Sequence, residues 1–184
     1  ISLTGCFFAT LGAVTIPVES VLIRRGIANF YTSYFSGQPT SGAEYAIHVI
    51  DGYTNITNCE FEWGQGGGGG GALLLDTPTS GATAVLTSLN RHTSTITGCR
   101  VLTKGVTGTG YIVKVNSDYH SLKLDSNMFN GKVSDSLNTA TLSSGGCNVI
   151  SMNNVYFGYP WTSDTNITSI KDRYYDGTTF HQLG

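Results

Sequence analysis

Val49-Ile50-Asp51-Gly52-Tyr53-Thr54-Asn55-Ile56-Thr57-Asn58-Cys59-Glu60-Phe61 ends in a hexamer, Ile56 to Phe61, that decides the fold because it recurs along the chain. Related hexamers start at residues 3, 27, 96, 124 and 152: Leu3 to Phe8, Ile27 to Thr32, Ile96 to Val101, Leu124 to Phe129 and Met152 to Phe157. The steps between starts lie between 24 and 29 residues except for one of 40, between residues 56 and 96. A fixed period of this size identifies a repeat architecture before any single element is assigned.

Positions one and six of the hexamer are apolar almost throughout, which places them against a core. Position three is Gly5, Asn29, Asn58, Gly98, Ser126 or Asn154, and Gly and Asn best tolerate the left-handed backbone of a tight corner. Each hexamer therefore reads as strand, one-residue corner, strand. Two such strands cannot bury their own inner face, but units stacked at ~4.8 Å bury a continuous core and pair every backbone with its neighbours. Six rungs then span roughly 24 Å. Further apolar runs at Tyr45 to Ile50, Ala84 to Leu86 and Tyr111 to Val115 supply a third strand to several coils.

The segments Val49 to Phe61 and Tyr111 to Gly131 resemble the right-handed parallel β-helix family that includes pectate lyases and phage tailspikes. The resemblance covers about residues 1–158. It implies an all-β, right-handed parallel β-helix solenoid of about six coils. A leucine-rich solenoid fits less well, because its Leu-x-x-Leu-x-Leu spacing and its helical segments are missing. Beyond residue 158 the pattern changes at Gly158-Tyr159-Pro160-Trp161. Residues 159–184 then read as a C-terminal capping or oligomerisation segment, with short strands at Ile167 to Ile170, Tyr174-Tyr175 and Thr178 to Phe180, turned at Asp176-Gly177.

Among the 184 residues only 12% are charged, Pro occurs four times and the formal net charge is −2. Scattered basic residues on a slightly acidic chain provide no footprint for a polyanion, so nucleic acid is not an expected partner. No run of about 18 apolar residues exists, so no membrane insertion is expected. The first hexamer starts almost at Ile1 with no polar cap before it, and an uncapped stack exposes strand edges. A longer chain whose preceding part covers that end is the expectation.

Cys6, Cys59 and Cys99 share position four, where the side chain points inward, which is packing rather than metal chemistry. Cys59 and Cys99 sit on adjacent rungs within disulfide range, although stacked inward cysteines are expected to stay thiols. Cys147 is out of register. No metal site and no cofactor are expected.

Candidate chemistry lies in the long step, which holds Glu60-Phe61-Glu62-Trp63-Gly64-Gln65 followed by Gly66 to Gly71. If Cys59 and Phe61 face inward, Glu60 and Glu62 face outward ~7 Å apart, a spacing suited to paired carboxylates at a glycosidic bond. Two glutamates on a solvated strand face are also the ordinary pattern of such a fold. The glycine run lacks the Lys-Ser/Thr ending and following helix of a phosphate loop and reads as a protruding loop. Ten tyrosines and two tryptophans exceed what the interior consumes, and aromatic faces stack on sugar rings. Tyr31, Tyr34, Tyr53, Trp63, Tyr119, Tyr156, Tyr159 and Trp161 are the candidates, with Trp63, Tyr53 and Tyr119 preferred as ligand contacts. His92 and His120 each precede a hexamer by four residues, so register stacks them, and with Arg91 they form a candidate polar patch. No Ser/His/Asp or Cys/His arrangement assembles from the spacing.

By its resemblance to tailspikes, the chain is expected to be a component of a phage tailspike or tail fibre. It would bind a bacterial cell-surface polysaccharide as a homotrimer at the extracellular face of the virion, beside other tail or virion proteins. A depolymerase on the same scaffold is the alternative. Hydrolysis would use Glu60 and Glu62, whereas elimination would use His120 with Arg91 or Arg100. The clustered aspartates of calcium-dependent pectate lyases are missing. A purely structural spacer is the third reading.

Overall fold

The computed structural model describes residues 1–14, 19–39, 45–63, 71–76, 92–103, 112–116, 120–130, 142–143, 148–158, 160–161 and 166–184. Among them there is no helix, and every strand belongs to one of three sheets. The first sheet stacks β1 (Ser2–Thr4), β4 (Ile27–Tyr31), β7 (Tyr53–Thr57), β10 (His92–Thr97), β13 (His120–Asp125), β16 (Asn148–Met152) and β18 (Ile167–Ile170). The second stacks β2 (Phe7–Val14), β5 (Tyr34–Pro39), β8 (Glu60–Trp63), β11 (Arg100–Thr103), β14 (Met128–Asn130), β17 (Val155–Phe157), β19 (Asp172–Tyr175) and β20 (Phe180–Leu183). The third stacks β3 (Val21–Ile23), β6 (Tyr45–Val49), β9 (Gly71–Leu75), β12 (Val113–Val115) and β15 (Leu142–Ser143). All strand pairs are parallel except β19 with β20. This is an all-β chain of long parallel sheets, compatible with a β-helix-like stack.

The pairing sets the register and corrects two hexamers. Leu3, Phe30, Ile56, Ile96, Leu124, Ser151 and Ser169 lie in one column of the first sheet. The repeats expected at Ile27 and Met152 therefore begin at Phe30 and Ser151, and a seventh begins at Ser169. The corner residues are Gly5, Thr32, Asn58, Gly98, Ser126, Asn153 and Lys171, with φ between 46° and 64° at every one. Asn29 and Asn154, expected at corners, instead lie in a strand and at position four. Thr32 and Lys171 take the left-handed conformation despite their side chains, at ~1–2 kcal/mol each, because parallel pairing of the two strands that flank each corner fixes the bend.

Position six carries an inner aromatic column. Phe8, Phe35 and Phe61 stack with centroids 4.6 Å apart at each step, and Phe129 stacks on Tyr156 at 5.1 Å. Each fully buried ring contributes roughly 1.5–3 kcal/mol. Position four carries a hydrogen-bonded column, in which the backbone N–H of each residue donates to the side chain one rung on. Cys6 N donates to Ser33 Oγ at 3.2 Å, Ser33 N to Cys59 Sγ at 3.4 Å and Cys59 N to Cys99 Sγ at 3.3 Å. Cys99 N then donates to Asn127 Oδ1 at 2.8 Å, Asn127 N to Asn154 Oδ1 at 2.9 Å and Asn154 N to Asp172 Oδ1 at 2.7 Å. Corner N–H groups that leave the strand ladder thus find acceptors without water. At the C-terminal end the column widens into a buried polar network: Ser169 Oγ donates to Asp172 Oδ2 at 2.8 Å, and Ser151 Oγ and Tyr156 Oη lie 2.7 Å apart. Burial, reinforced by the Asp172 charge, pushes the Tyr156 phenol far above its ordinary pKa.

The expected strand at Ala84 to Leu86 lies outside the described residues, as do Cys147, Tyr159 and all of the glycine run but Gly71. The tail departs from the expected pattern in β18 and β19, which continue the two sheets in parallel register as a further rung, while β20 reverses after the expected turn at Asp176-Gly177. Asp176 forms that reversal: its Oδ1 accepts the N–H groups of Thr178 and Thr179 at 2.8 and 2.9 Å.

Candidate functional site

Position five of each rung faces outward on the second sheet. The pairing puts Phe7, Tyr34, Glu60, Arg100, Met128, Val155 and Arg173 in one column. A parallel column begins with Ala9, Ser36, Glu62 and Leu102. Alternation is the cause: Cys59, Phe61 and Trp63 are buried while Glu60 and Glu62 reach the surface, as the period of two requires.

These outward side chains interlock across rungs. Phe7, 68% exposed, stacks on Tyr34 with centroids 5.4 Å apart and planes at 5°. The Tyr34 hydroxyl donates to Glu62 Oε2. Arg100 Nη1 lies 3.3 Å from Glu60 Oε1, both side chains being about half exposed. The two carboxylates therefore occupy different surroundings, one against a phenol and one against a guanidinium. Beyond Arg100 the column enters a shallow groove of about 320 Å³ along the corner between the first two sheets, lined by Gly98, Cys99, Arg100, Ser126, Asn127, Met128, Asn153 and Val155. An aromatic platform, two acceptor carboxylates and a cationic donor beside a groove can stack a flat ring and hydrogen-bond its hydroxyls.

The other expected site residues are dispersed. Trp63 is fully buried in the core, so its ring offers no face to a ligand. Tyr53 is half-exposed on the first sheet, away from the Glu60 column. His92 and His120 are register partners, as their spacing predicts, but His120 is 1% exposed and its Nε2 lies 3.0 Å from the Asp76 carbonyl oxygen. The expected polar patch is thereby corrected at His120, which lies inward. Arg91 and Tyr119 lie outside the described residues. Phe7 and the Tyr34–Glu62 bond escape a reading by single residues, and the signal that finds them is the fifth hexamer position read down the column.

A second polar cluster lies on the third sheet, where His48 Nδ1 is 2.9 Å from Glu19 Oε1 and His48 Nε2 is 3.2 Å from Asp76 Oδ2. Both ring nitrogens are used by carboxylates, which ties β6 to its neighbouring rungs and leaves no ring nitrogen over for a substrate. Among the described residues no group of three His, Cys, Asp or Glu side chains is arranged to hold a metal ion. No helix there is long and apolar enough to cross a membrane. Comparison with protein-family models, curated proteins and solved structures gives no match for this chain.

Proposed function

We propose that the chain is a right-handed parallel β-helix segment of a phage tailspike or tail fibre that binds bacterial surface polysaccharide along the outer face of its second sheet. The observation that carries this reading is the Phe7–Tyr34 stack beside Glu62, Glu60 and Arg100. Sugars offer an apolar ring face and a rim of hydroxyls, and this column presents an aromatic surface beside charged hydrogen-bonding groups. The column steps by ~4.8 Å per rung, so the four rungs from Phe7 to Arg100 cover roughly 14 Å, the length of a short oligosaccharide. Exposed Ile150, Ile170 and Phe180 support a homotrimer by supplying apolar surface near the C-terminal end.

Calorimetric titration with oligosaccharides from bacterial surface polysaccharides tests the binding, and light scattering tests the trimer. Tyr34→Ala and Phe7→Ala are expected to weaken Kd about ten-fold each, the worth of one ring stack at ~1.4 kcal/mol. A native chain that binds no such glycan, or binds with both variants unchanged, refutes the reading. The unlike surroundings of Glu60 and Glu62 favour a second reading, glycan cleavage, since an acid and a base need different environments. Release of reducing or unsaturated ends from the same oligosaccharides, lost in Glu60→Gln or Glu62→Gln, distinguishes cleavage from binding alone.

A further inference from the structure

Cys59 and Cys99 occupy position four of neighbouring rungs, held in register by Thr57 opposite Thr97 and Glu60 opposite Arg100. One parallel-strand step, ~4.8 Å, therefore separates their Cα atoms, inside the ~4.4–6.8 Å range that a disulfide spans. Both are free thiols, both point inward, and the Cys59 N–H donates to Cys99 Sγ at 3.3 Å. The remaining cysteine in the column is two steps away: Ser33 stands between Cys6 and Cys59, and the resulting ~10 Å exceeds any disulfide.

The column holds both sulfurs alike: Cys59 Sγ accepts the Ser33 N–H at 3.4 Å and donates to the Thr57 carbonyl at 3.4 Å, and Cys99 Sγ accepts the Cys59 N–H at 3.3 Å and donates to the Thr97 carbonyl at 3.4 Å. The Cys99 thiol, the Ser33 N–H and a backbone contact at Thr57 bring the Cys59 pKa down to about 7 against the opposing effect of burial. Its partner Cys99 is pushed upward, by Cys59 first and by burial second, and so keeps its proton. A thiol of lowered pKa one strand step from a second thiol can attack a disulfide and be resolved by its neighbour. Both residues are 2% exposed, and the corner residue before each, Asn58 or Gly98, reaches solvent. Cys99 also lines the groove beneath Arg100.

We propose that Cys59 and Cys99 form a redox-active dithiol whose substrate is a small-molecule disulfide of the glutathione class. The Cys59 thiolate attacks one sulfur of the reagent, a protein–reagent S–S bond forms, the reagent S–S bond breaks, and one thiolate leaves and takes up a proton. Cys99 then gives up its proton and attacks Cys59 Sγ, expelling the second reagent thiolate. Two protein thiols are oxidised and one small disulfide is reduced to two thiols. The product ties the two rungs across the 40-residue step, which contains the glycine run. Side chains on parallel strands must lean together to bond, so the disulfide is strained and easily reduced again. The inference is independent of the glycan reading.

The test is incubation of the native, unaltered chain with oxidised glutathione, followed by acid quench, alkylation and peptide mapping by mass spectrometry. The expected result is a peptide linking Cys59 to Cys99, with those two of the four thiols lost to alkylation, and recovery of both on mild reduction. In Cys99→Ser the expected product is a glutathione adduct held at Cys59 with no cross-link. The cross-linking rate of the native chain should climb as pH rises through about 7, following the Cys59 thiolate. Cys6 serves as the internal reference for reagent activity. The proposal is overturned if Cys6 acquires glutathione while Cys59 and Cys99 both remain alkylatable, or if the linked peptide forms only in denaturant. Both outcomes are read on the native chain, so a variant that does not fold leaves the test intact.

Discussion

Asn127 is the side chain on which the position-four column is most exposed to a single change. Its Oδ1 accepts the Cys99 N–H at 2.8 Å, and its Nδ2 donates to Ile96 O at 2.8 Å and to Asn154 Oδ1 at 3.0 Å, all at 2% exposure. Asn127→Ala leaves the Cys99 N–H buried with no acceptor, which costs ~1–3 kcal/mol, and loses two further bonds at ~0.5–1.5 kcal/mol each. The sum is about 4 kcal/mol, a large share of the stability of an ordinary domain. Equilibrium urea unfolding followed by far-ultraviolet circular dichroism reads it as a fall in midpoint at constant slope. Asn29→Ala is the matched control. Asn29 also bridges rungs, accepting from Asn55 Nδ2 at 2.8 Å and donating to Ser2 Oγ at 3.3 Å, but on the outer face, where water replaces what is lost. It should cost less than ~1 kcal/mol. If the two alanine variants lose equal stability, the buried column does not hold the corner and the reasoning fails. Asn127→Asp refines the test, since it keeps the acceptor for Cys99 and exchanges the two donors for a charge. Its penalty should be largest at neutral pH and should ease on acidification, as the protonated carboxyl regains one donor.

Two further outcomes follow from backbone geometry and from the terminal turn. A Cβ on Gly52, at φ 120°, would lie 1.9 Å from the Gly26 carbonyl oxygen, whereas one on Gly5, at φ 64°, meets nothing within 4 Å. Gly52→Ala should therefore cost ~3 kcal/mol or more, against ~1 kcal/mol for Gly5→Ala, and equal urea midpoints would contradict the close approach of the two chains. Backbone N–H groups of Thr179 and Thr178, then the Thr178 hydroxyl and His181, hold the Asp176 carboxyl well below its usual pKa. A depressed carboxylate contributes stability that is present above its unfolded value, ~3.9, and lost as pH falls through the folded value. Protection of the Thr178 and Thr179 amides relative to their intrinsic exchange should thus fall on acidification below about pH 4, and Asp176→Asn should abolish that dependence. Unchanged exchange in the native chain down to acid unfolding would refute it.

The sequence discloses the rungs that obey one rule and hides the rungs where a second rule competes. Hexamers at Leu3, Ile56, Ile96 and Leu124 stand in the register that the pairing adopts, because apolar bulk at position one and a permissive corner coincide there. The second rung fails because its corner is Thr32, a β-branched residue that pattern reading does not place at positive φ. The sixth and seventh fail because position one is Ser151 or Ser169, polar side chains enclosed in the network of Tyr156, Asn154 and Asp172. Polarity reads as surface in a single sequence, and only three-dimensional partners make it core. The same limit acts at the candidate site. Outward Glu60 and Glu62 follow from alternation, and extending that alternation one residue places Trp63 inward, so its burial is legible even though a tryptophan beside two glutamates invites a ligand role.

Inner and outer columns answer to different constraints, and that difference decides where function can reside in such a stack. At positions four and six each residue packs on or bonds to its neighbours, so replacing one disturbs at least two rungs, and the choices narrow to Cys, Ser, Asn and Asp at position four and to aromatic rings or Val101 at position six. At position five the side chain meets its neighbours only at the surface, and the same column holds Phe7, Tyr34, Glu60, Arg100, Met128, Val155 and Arg173 with no shared chemistry. Surface pairs within it, such as Glu60 with Arg100, contribute at most ~1 kcal/mol, so stability does not dictate their identity. A ligand-binding column can therefore change residue by residue while the corner ladder beneath it stays in place. For this reason the fold leaves the identity of the outer-face residues from Phe7 to Val155 free to be set by a ligand.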